Sequence, residues 1–215
     1  MEDQLQRLTN AILDGKVEEA RQSTYAALAR GSTTNEILDA MLDAVNIVVD
    51  LHEVGEYDQD RVNAAEAAVN SSLQVVEDRL AKAESKFNLR VTVGPVGLKA
   101  GNLLALALSA ALRSVGLRAL SLEKTQTPLE ILRNSEELRA DLVLPLLSCE
   151  GIEQQLDAFT EAIERGGFKS KFKVIALAPG LPDTLQPTLS VARNSGEAIS
   201  RATEWALKQT HERRG

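Results

Sequence analysis

Residues 88–104, NLRVTVGPVGLKAGNLL, decide the fold. The β-branched run Val91, Thr92, Val93 reads as a buried strand. Gly94, Gly97 and Gly101 read as the loop after it, and the apolar, Ala-rich sequence from about Asn102 as a long helix. A strand, a glycine loop and a helix in that order make the first half of a βαβ unit. In such folds ligands sit outside the carboxyl end of the strand, against a helix N-terminus. The glycines admit positive φ or close backbone approach, so a flat or anionic group fits against the loop. The spacing G-x-x-G-x-x-x-G is neither the dinucleotide fingerprint nor a P-loop, because no Gly-Lys-Ser/Thr follows. A tight structural turn feeding a helix is the competing reading, and the loop alone does not choose between them.

Toward the C-terminus, apolar runs at 91–93, 118–122, 142–147 and 173–178 alternate with helical patterns at 102–115, 128–138, 150–165 and 196–210. Alternation of this kind predicts a parallel sheet with right-handed crossovers, and a short fifth strand at 189–192 completes it. Thr127-Pro128-Leu129-Glu130 combines a cap, a first-turn proline and a capping-box glutamate. Asn194-Ser195-Gly196-Glu197 starts the last helix in a similar way.

Toward the N-terminus every segment reads as amphipathic helix. Leu5, Leu8 and Ile12 share one face before Gly15, and Val17, Ala20, Thr24, Ala27 and Leu28 share another before Gly31. The capping box Thr33-Thr34-Asn35-Glu36 opens a third helix, whose wide stripe is Ile37, Leu38, Met41, Leu42, Val45, Val48 and Val49, ended by Gly55. Val62, Ala65, Val69, Leu73, Val76 and Leu80 make a fourth. Short joints between four such helices predict an antiparallel bundle. Arg79, Lys82, Glu84 and Lys86 mark a helical tail or linker after it. The expected class is therefore α/β: a four-helix bundle over 1–87, then a flavodoxin-like, five-stranded parallel-sheet domain over 88–215.

Bulk properties exclude several functions. The net charge is −7, and no Lys/Arg cluster exceeds the short tail His211-Glu212-Arg213-Arg214, which argues against nucleic acid. With 3% aromatic residues, broad base-stacking platforms are not expected either. The single cysteine, Cys149, rules out an internal disulfide and fits a reducing compartment. The polar start MEDQLQRLTN is no signal peptide, and the stretch 103–112 is too short to span a bilayer. A soluble, cytoplasmic protein is expected.

No catalytic constellation assembles. Ser148 has no histidine to act as base and reads as a helix cap. Cys149 is followed by Glu150, the wrong sign for thiolate activation. Glu53, Glu56, Asp58 and Asp60 match no EF-hand spacing and read as a solvated acidic loop. Lys99 reads as an exposed lysine, with pairing to a ligand anion as the alternative. His211 lies near a terminus. His52 reads as a solvent-facing histidine at a helix end, with a ligand role as the alternative.

Ala11-Ile12-Leu13-Asp14-Gly15, Ala26-Ala27-Leu28-Ala29-Arg30-Gly31, Glu36-Ile37-Leu38, Gly55-Glu56-Tyr57 and, in the second half, Gly101-Asn102 with its Ala-rich helix carry a family likeness. The chain resembles the corrinoid (cobalamin-binding) proteins of methyltransferase systems and the cobalamin module of methionine synthase. That family carries D-x-H-x-x-G in the first loop, with the histidine beneath cobalt. Aligned on Asn102, this chain has Pro95, Gly97 and Ala100 at those three positions. The family's Ser-x-Leu falls near Leu146-Leu147-Ser148, and its Gly-Gly pair falls at Leu177-Ala178, just before Pro179-Gly180. In the bundle, its Met and Val-Gly become Val45 and Val48-Val49, and its Phe facing the corrin becomes His52.

The resemblance implies a cofactor site at Gly94, Pro95, Gly97, Gly101, Asn102 and His52, with no metal-ligating and no catalytic residue. It implies cobalamin or another tetrapyrrole such as haem, held without a protein histidine. A non-binding interaction or accessory subunit stays open, and the methyl-carrying role is the least favoured. The partner implied is a methyltransferase or a regulator, with no nucleic acid and no membrane, and homo-oligomerisation is left open. Leu146 and Leu177 are expected to fill the space that a nucleotide tail takes in the family.

Overall fold

The computed structural model describes residues 3–83, 86–122, 124, 126–182 and 187–212. Four helices come first: α1 (Gln4–Leu13), α2 (Val17–Ala29), α3 (Thr34–Glu53) and α4 (Gln59–Ala83). The cap at Thr33 forms as its sequence dictates. Its hydroxyl accepts from Glu36 N at 3.2 Å, while the Glu36 carboxylate accepts from Thr33 N at 2.7 Å. Asp58 lies exposed in the loop before α4, as expected, and accepts from Arg61 N at 2.9 Å at the start of that helix. Within the charged stretch, Arg79 and Lys82 belong to α4, whereas Glu84 lies outside the described residues, as do Arg213 and Arg214.

The second half alternates as expected: β1 (Arg90–Val96), α5 (Gly101–Ser114), β2 (Arg118–Ser121), α6 (Pro128–Glu137), β3 (Leu142–Leu147), α7 (Ile152–Arg165), β4 (Lys173–Leu177), β5 (Ser190–Ala192) and α8 (Ser195–Glu212). The strands form one sheet in the order β2-β1-β3-β4-β5, and every neighbouring pair is parallel. This is the flavodoxin-like order, with its switch point between β1 and β3.

One boundary differs from expectation. Gly94 and Pro95 are not loop residues; β1 continues through them and stays in register with β3 as far as Val96↔Leu147. On its other side β1 is paired with β2 only up to Val93↔Ser121. Proline's missing N–H therefore falls beyond the end of β2, where it interrupts no ladder. The true loop is short, 97–100, and α5 starts at Gly101, one residue before the expected Asn102.

α5 is the hub. Leu103, Leu104, Leu108 and Leu112 are buried, together with Ala105, Ala107, Ala110 and Ala111. Each such leucine contributes about 1.5–3 kcal/mol by leaving water. α3 and α4 pack on α5, and α5 packs on β1 and β2. One continuous apolar core therefore runs from Leu8, Ile37 and Val76 in the bundle, through Leu108, to Leu144 and Ile175 in the sheet. A second core on the opposite face of the sheet gathers Ile131, Val143, Phe159 and Val174 under α6 and α7.

The start of α5 is fixed by a close approach. A Cβ at Gly101 would sit 2.2 Å from Pro95 Cβ and 3.2 Å from Leu98 Cβ. Gly101→Ala is therefore expected to destabilise by roughly 1–3 kcal/mol, because neither the strand nor the helix can yield cheaply. Urea denaturation measures it, and an unchanged midpoint would refute this close packing.

Candidate functional site

The carboxyl ends of β1, β3 and β4 open into a cleft of about 480 Å³ that α3 covers from the bundle side. Its floor is aliphatic: Leu98 from the loop after β1, Leu104 from α5, Leu147 at the end of β3 and Leu177 at the end of β4. One wall is the face of α3 bearing Asn46, Val49, Asp50 and Glu53. The other wall carries Cys149, Pro179 and the turn Arg193-Asn194-Ser195 that leads into α8. A volume of this order is typical of small-molecule sites.

Two hydrogen bonds hold α3 against the sheet domain at the cleft. Lys99 N donates to Glu53 Oε1 at 3.2 Å, and Ser195 Oγ pairs with Asn46 Oδ1 at 3.3 Å. The loop after β3 is braced by Gln155, whose Oε1 accepts from Ser148 N at 3.1 Å and whose Nε2 donates to Glu150 O at 2.6 Å. Ser148 Oγ accepts from Glu150 N at 3.2 Å within the loop, but the N-cap of α7 is Gly151, without a side-chain cap bond. The expected capping role of Ser148 is thereby corrected: it braces the loop one step before the helix. Cys149 Sγ donates to Pro179 O at 3.2 Å and ties the loops after β3 and β4 together. Its thiol is exposed, yet its pKa is raised, first by partial desolvation and then by the negative charges of Asp50 and Glu53. This is the reverse of an activated nucleophile.

The residues singled out in the sequence fall elsewhere. Gly94 faces Leu122 and Ile131, on the α6 side of the sheet, and Pro95 is packed on Gly101. Gly97 adopts φ +68°, with nothing closer than 3.8 Å to an added Cβ, so backbone conformation rather than crowding calls for glycine there. Asn102 and Lys99 are exposed. None of these side chains, nor Gly101, belongs to the described lining of the cleft, which the loop enters only through Leu98. The loop's amides are also engaged, Lys99 N with Glu53 and Gly101 N with Leu98 O.

His52 sits one residue from the end of α3, but it does not face solvent. It is half-buried, and its Nδ1 donates to Tyr57 O at 2.8 Å, since a carbonyl can only accept. Its Nε2 is buried without a partner. It shares the helical stripe of Met41, Val45 and Val48, which fills the bundle, and is not part of the cleft. The expected solvent-facing position is thereby corrected. Among the described residues no group of three or more His, Cys, Asp or Glu converges as a metal site.

Sequence reasoning singled out Val49 and Glu53 separately but missed that they form one wall of the cleft with Asn46 and Asp50. Asn46, Val49, Asp50 and Glu53 follow the i, i+3, i+4, i+7 spacing of one helical face, which was legible but was masked by the larger stripe beside it. Leu146 and Leu177 are register partners in adjacent strands and both are buried, with Leu177 also lining the cleft.

Residues 4–77, from the start of α1 into α4, match the family model of the B12 binding domain. No curated protein sequence matches the chain. Among solved structures, the monomethylamine corrinoid protein of Methanosarcina barkeri has 17% identity and a TM-score of 0.67, over 92% of this chain and 96% of that one. The methanol:cobalamin methyltransferase complex MtaBC of the same organism has 13% identity and a TM-score of 0.47, over 96% and 80%. A cobalamin-binding protein of Desulfitobacterium hafniense DCB-2 has 13% identity and a TM-score of 0.47, over 94% and 98%. The resemblance to corrinoid proteins read from the sequence is borne out by the bundle's family match, and the fold of the whole chain is that of the first of these structures.

Two measurements check this geometry. The raised Cys149 pKa predicts alkylation by iodoacetamide that is several-fold slower at neutral pH than for a free cysteine, with the rate rising only above the usual thiol range. Asp50→Asn with Glu53→Gln is expected to speed it; an unchanged rate would mean that neither carboxylate is felt at the thiol. Leu146→Ser is expected to cost about 2–5 kcal/mol in chemical denaturation, as for a core leucine truncated in place.

Proposed function

We propose that this chain is a corrinoid-protein-like module that keeps the cleft between bundle and sheet but holds a ring there without a histidine beneath the metal. It is a binding or regulatory protein and not itself a catalyst. The observation that carries this reading is the makeup of the cleft: an aliphatic floor of Leu98, Leu104, Leu147 and Leu177, with no imidazole among its described lining. The family match of the bundle supports a corrinoid as the class of ligand.

The residues present fit part of such a group. An apolar ring face suits the floor, whereas a histidine-ligated cobalamin with its nucleotide tail inserted does not suit this chain. Pro95 and Val96 at the end of β1, and Gly97 and Leu98 in the loop after it, offer no nitrogen donor in a side chain, and His52 spends its Nδ1 on Tyr57. A one-residue shift in alignment brings Val96 or Leu98 to the ligand position and changes nothing. The tail's path is taken by Leu146 and Leu177, which together contribute roughly 3–6 kcal/mol of apolar burial with no ligand present. Gly94, Pro95, Gly97, Gly101 and Asn102 then act by shaping β1, its loop and the start of α5, so that Leu98 is presented to the cleft.

A second reading is favoured by the bonds Glu53–Lys99 and Asn46–Ser195, which close α3 onto the sheet edge. In it the chain has given up the cofactor and serves as an accessory subunit. In either reading the partner is a protein of a methyltransferase system or a regulator, and 1–87 and 88–215 are the functional units. Among the described residues no helix is long and apolar enough to cross a membrane.

Titration with hydroxocobalamin, followed by visible spectra and by paramagnetic resonance of the reduced cobalt(II) form, separates these readings. The expected result is a spectral change without nitrogen hyperfine splitting from a protein histidine. Such splitting, retained after His52→Ala, would sink the proposal. No change at millimolar cobalamin would favour the accessory subunit.

A further inference from the structure

Resting on the cleft reading above, we infer that Asp50 and Glu53 make this cleft select its ligand by charge: it takes a cationic cobalt(III) corrinoid without a nucleotide tail in preference to a neutral or anionic ring. Both carboxylates stand on one wall, facing a floor built from leucines. Across the cleft they face the Cys149 thiol, whose pKa is raised first by desolvation and then by these two charges. Above a leucine floor such charges are screened less than on an open surface.

The positive groups nearby do not cancel them. Arg193 also lines the cleft, but its one positive charge can offset only one of the two carboxylates, and the bond it gives Glu197 comes from its backbone amide, at 2.7 Å. Lys99 gives Glu53 a neutral backbone N–H, and its side chain is not in the described lining. Asn46, Asn194 and Ser195 are uncharged. The excess on the walls is therefore negative. Haem, with two propionates, meets repulsion here, whereas a corrin ring carries amides and takes its charge from the metal and its axial groups. The buried pair Leu146 and Leu177 adds the second criterion, absence of a tail.

The test uses the full chain and three probes: diaquacobinamide, which is cationic; dicyanocobinamide, which has the same ring without net charge; and haemin. Binding is followed by visible spectra at low and raised salt. The cationic cobinamide is expected to bind about tenfold more tightly than the neutral one, the effect of one unit charge roughly 10 Å away at a typical effective dielectric. Haemin is expected to bind most weakly. The ratio between the cobinamides should shrink with salt and in the double variant Asp50→Asn/Glu53→Gln, whose new side-chain amide at position 53 keeps an acceptor for Lys99 N–H. Equal affinity for the two cobinamides overturns the inference and leaves the cleft reading standing. So does a preference that neither salt nor the double variant reduces, because that would mark direct coordination by a side chain. Failure of all three probes to bind overturns both.

Discussion

The burial of α5 on both sides is the constraint from which the rest follows. A helix with Leu103, Leu104, Leu108, Leu112 and four alanines buried must be covered by the sheet on one face and by other helices on the opposite one. The alanines let α3 and α4 approach closely. The first four helices are thus not an appendage: their inner faces and the sheet share a core through α5. Arg113 adds a bidentate contact to Glu77 on α4, but at an exposed position, so the apolar interface carries the association.

Docking the bundle on α5 has a geometric consequence. α3 runs past the carboxyl ends of the strands, where a parallel sheet leaves its loops and its unpaired backbone. The cleft is the space that remains beside the polar bonds that hold the helix there, among them Glu53 to Lys99 and Asn46 to Ser195. Because both bonds come from the same face of α3, the helix presents its acidic residues to the leucine floor. The charge of the cleft is therefore a by-product of how the two halves are joined.

His52 illustrates how a neighbour on the same helix can be irrelevant to the cleft. Positions 49, 50 and 53 point toward the sheet, whereas 52 continues the stripe of 41, 45 and 48 into the bundle. A helix of this length separates two environments, and a histidine three residues after Val49 belongs to the other one. Its bond to Tyr57 O makes it part of the turn between α3 and α4.

The sequence by itself determined the fold class, because periodicity is a local property. Stripes of spacing three and four, capping boxes at Thr33 and Thr127, and short β-branched runs were sufficient to write down the helices, the parallel strands and their order along the chain. It also determined that the end of β1 carries no imidazole. What only the tertiary structure decided is which residues share the cleft. Glu53 and Lys99 are 46 positions apart and Asn46 and Ser195 are 149, and no local pattern encodes such pairings. The extent of β1 through Gly94 and Pro95 was hidden for a related reason: whether proline ends a strand depends on whether a neighbouring strand needs its N–H, and β2 had already ended. Periodicity states which face of an element is apolar; only packing states what that face meets.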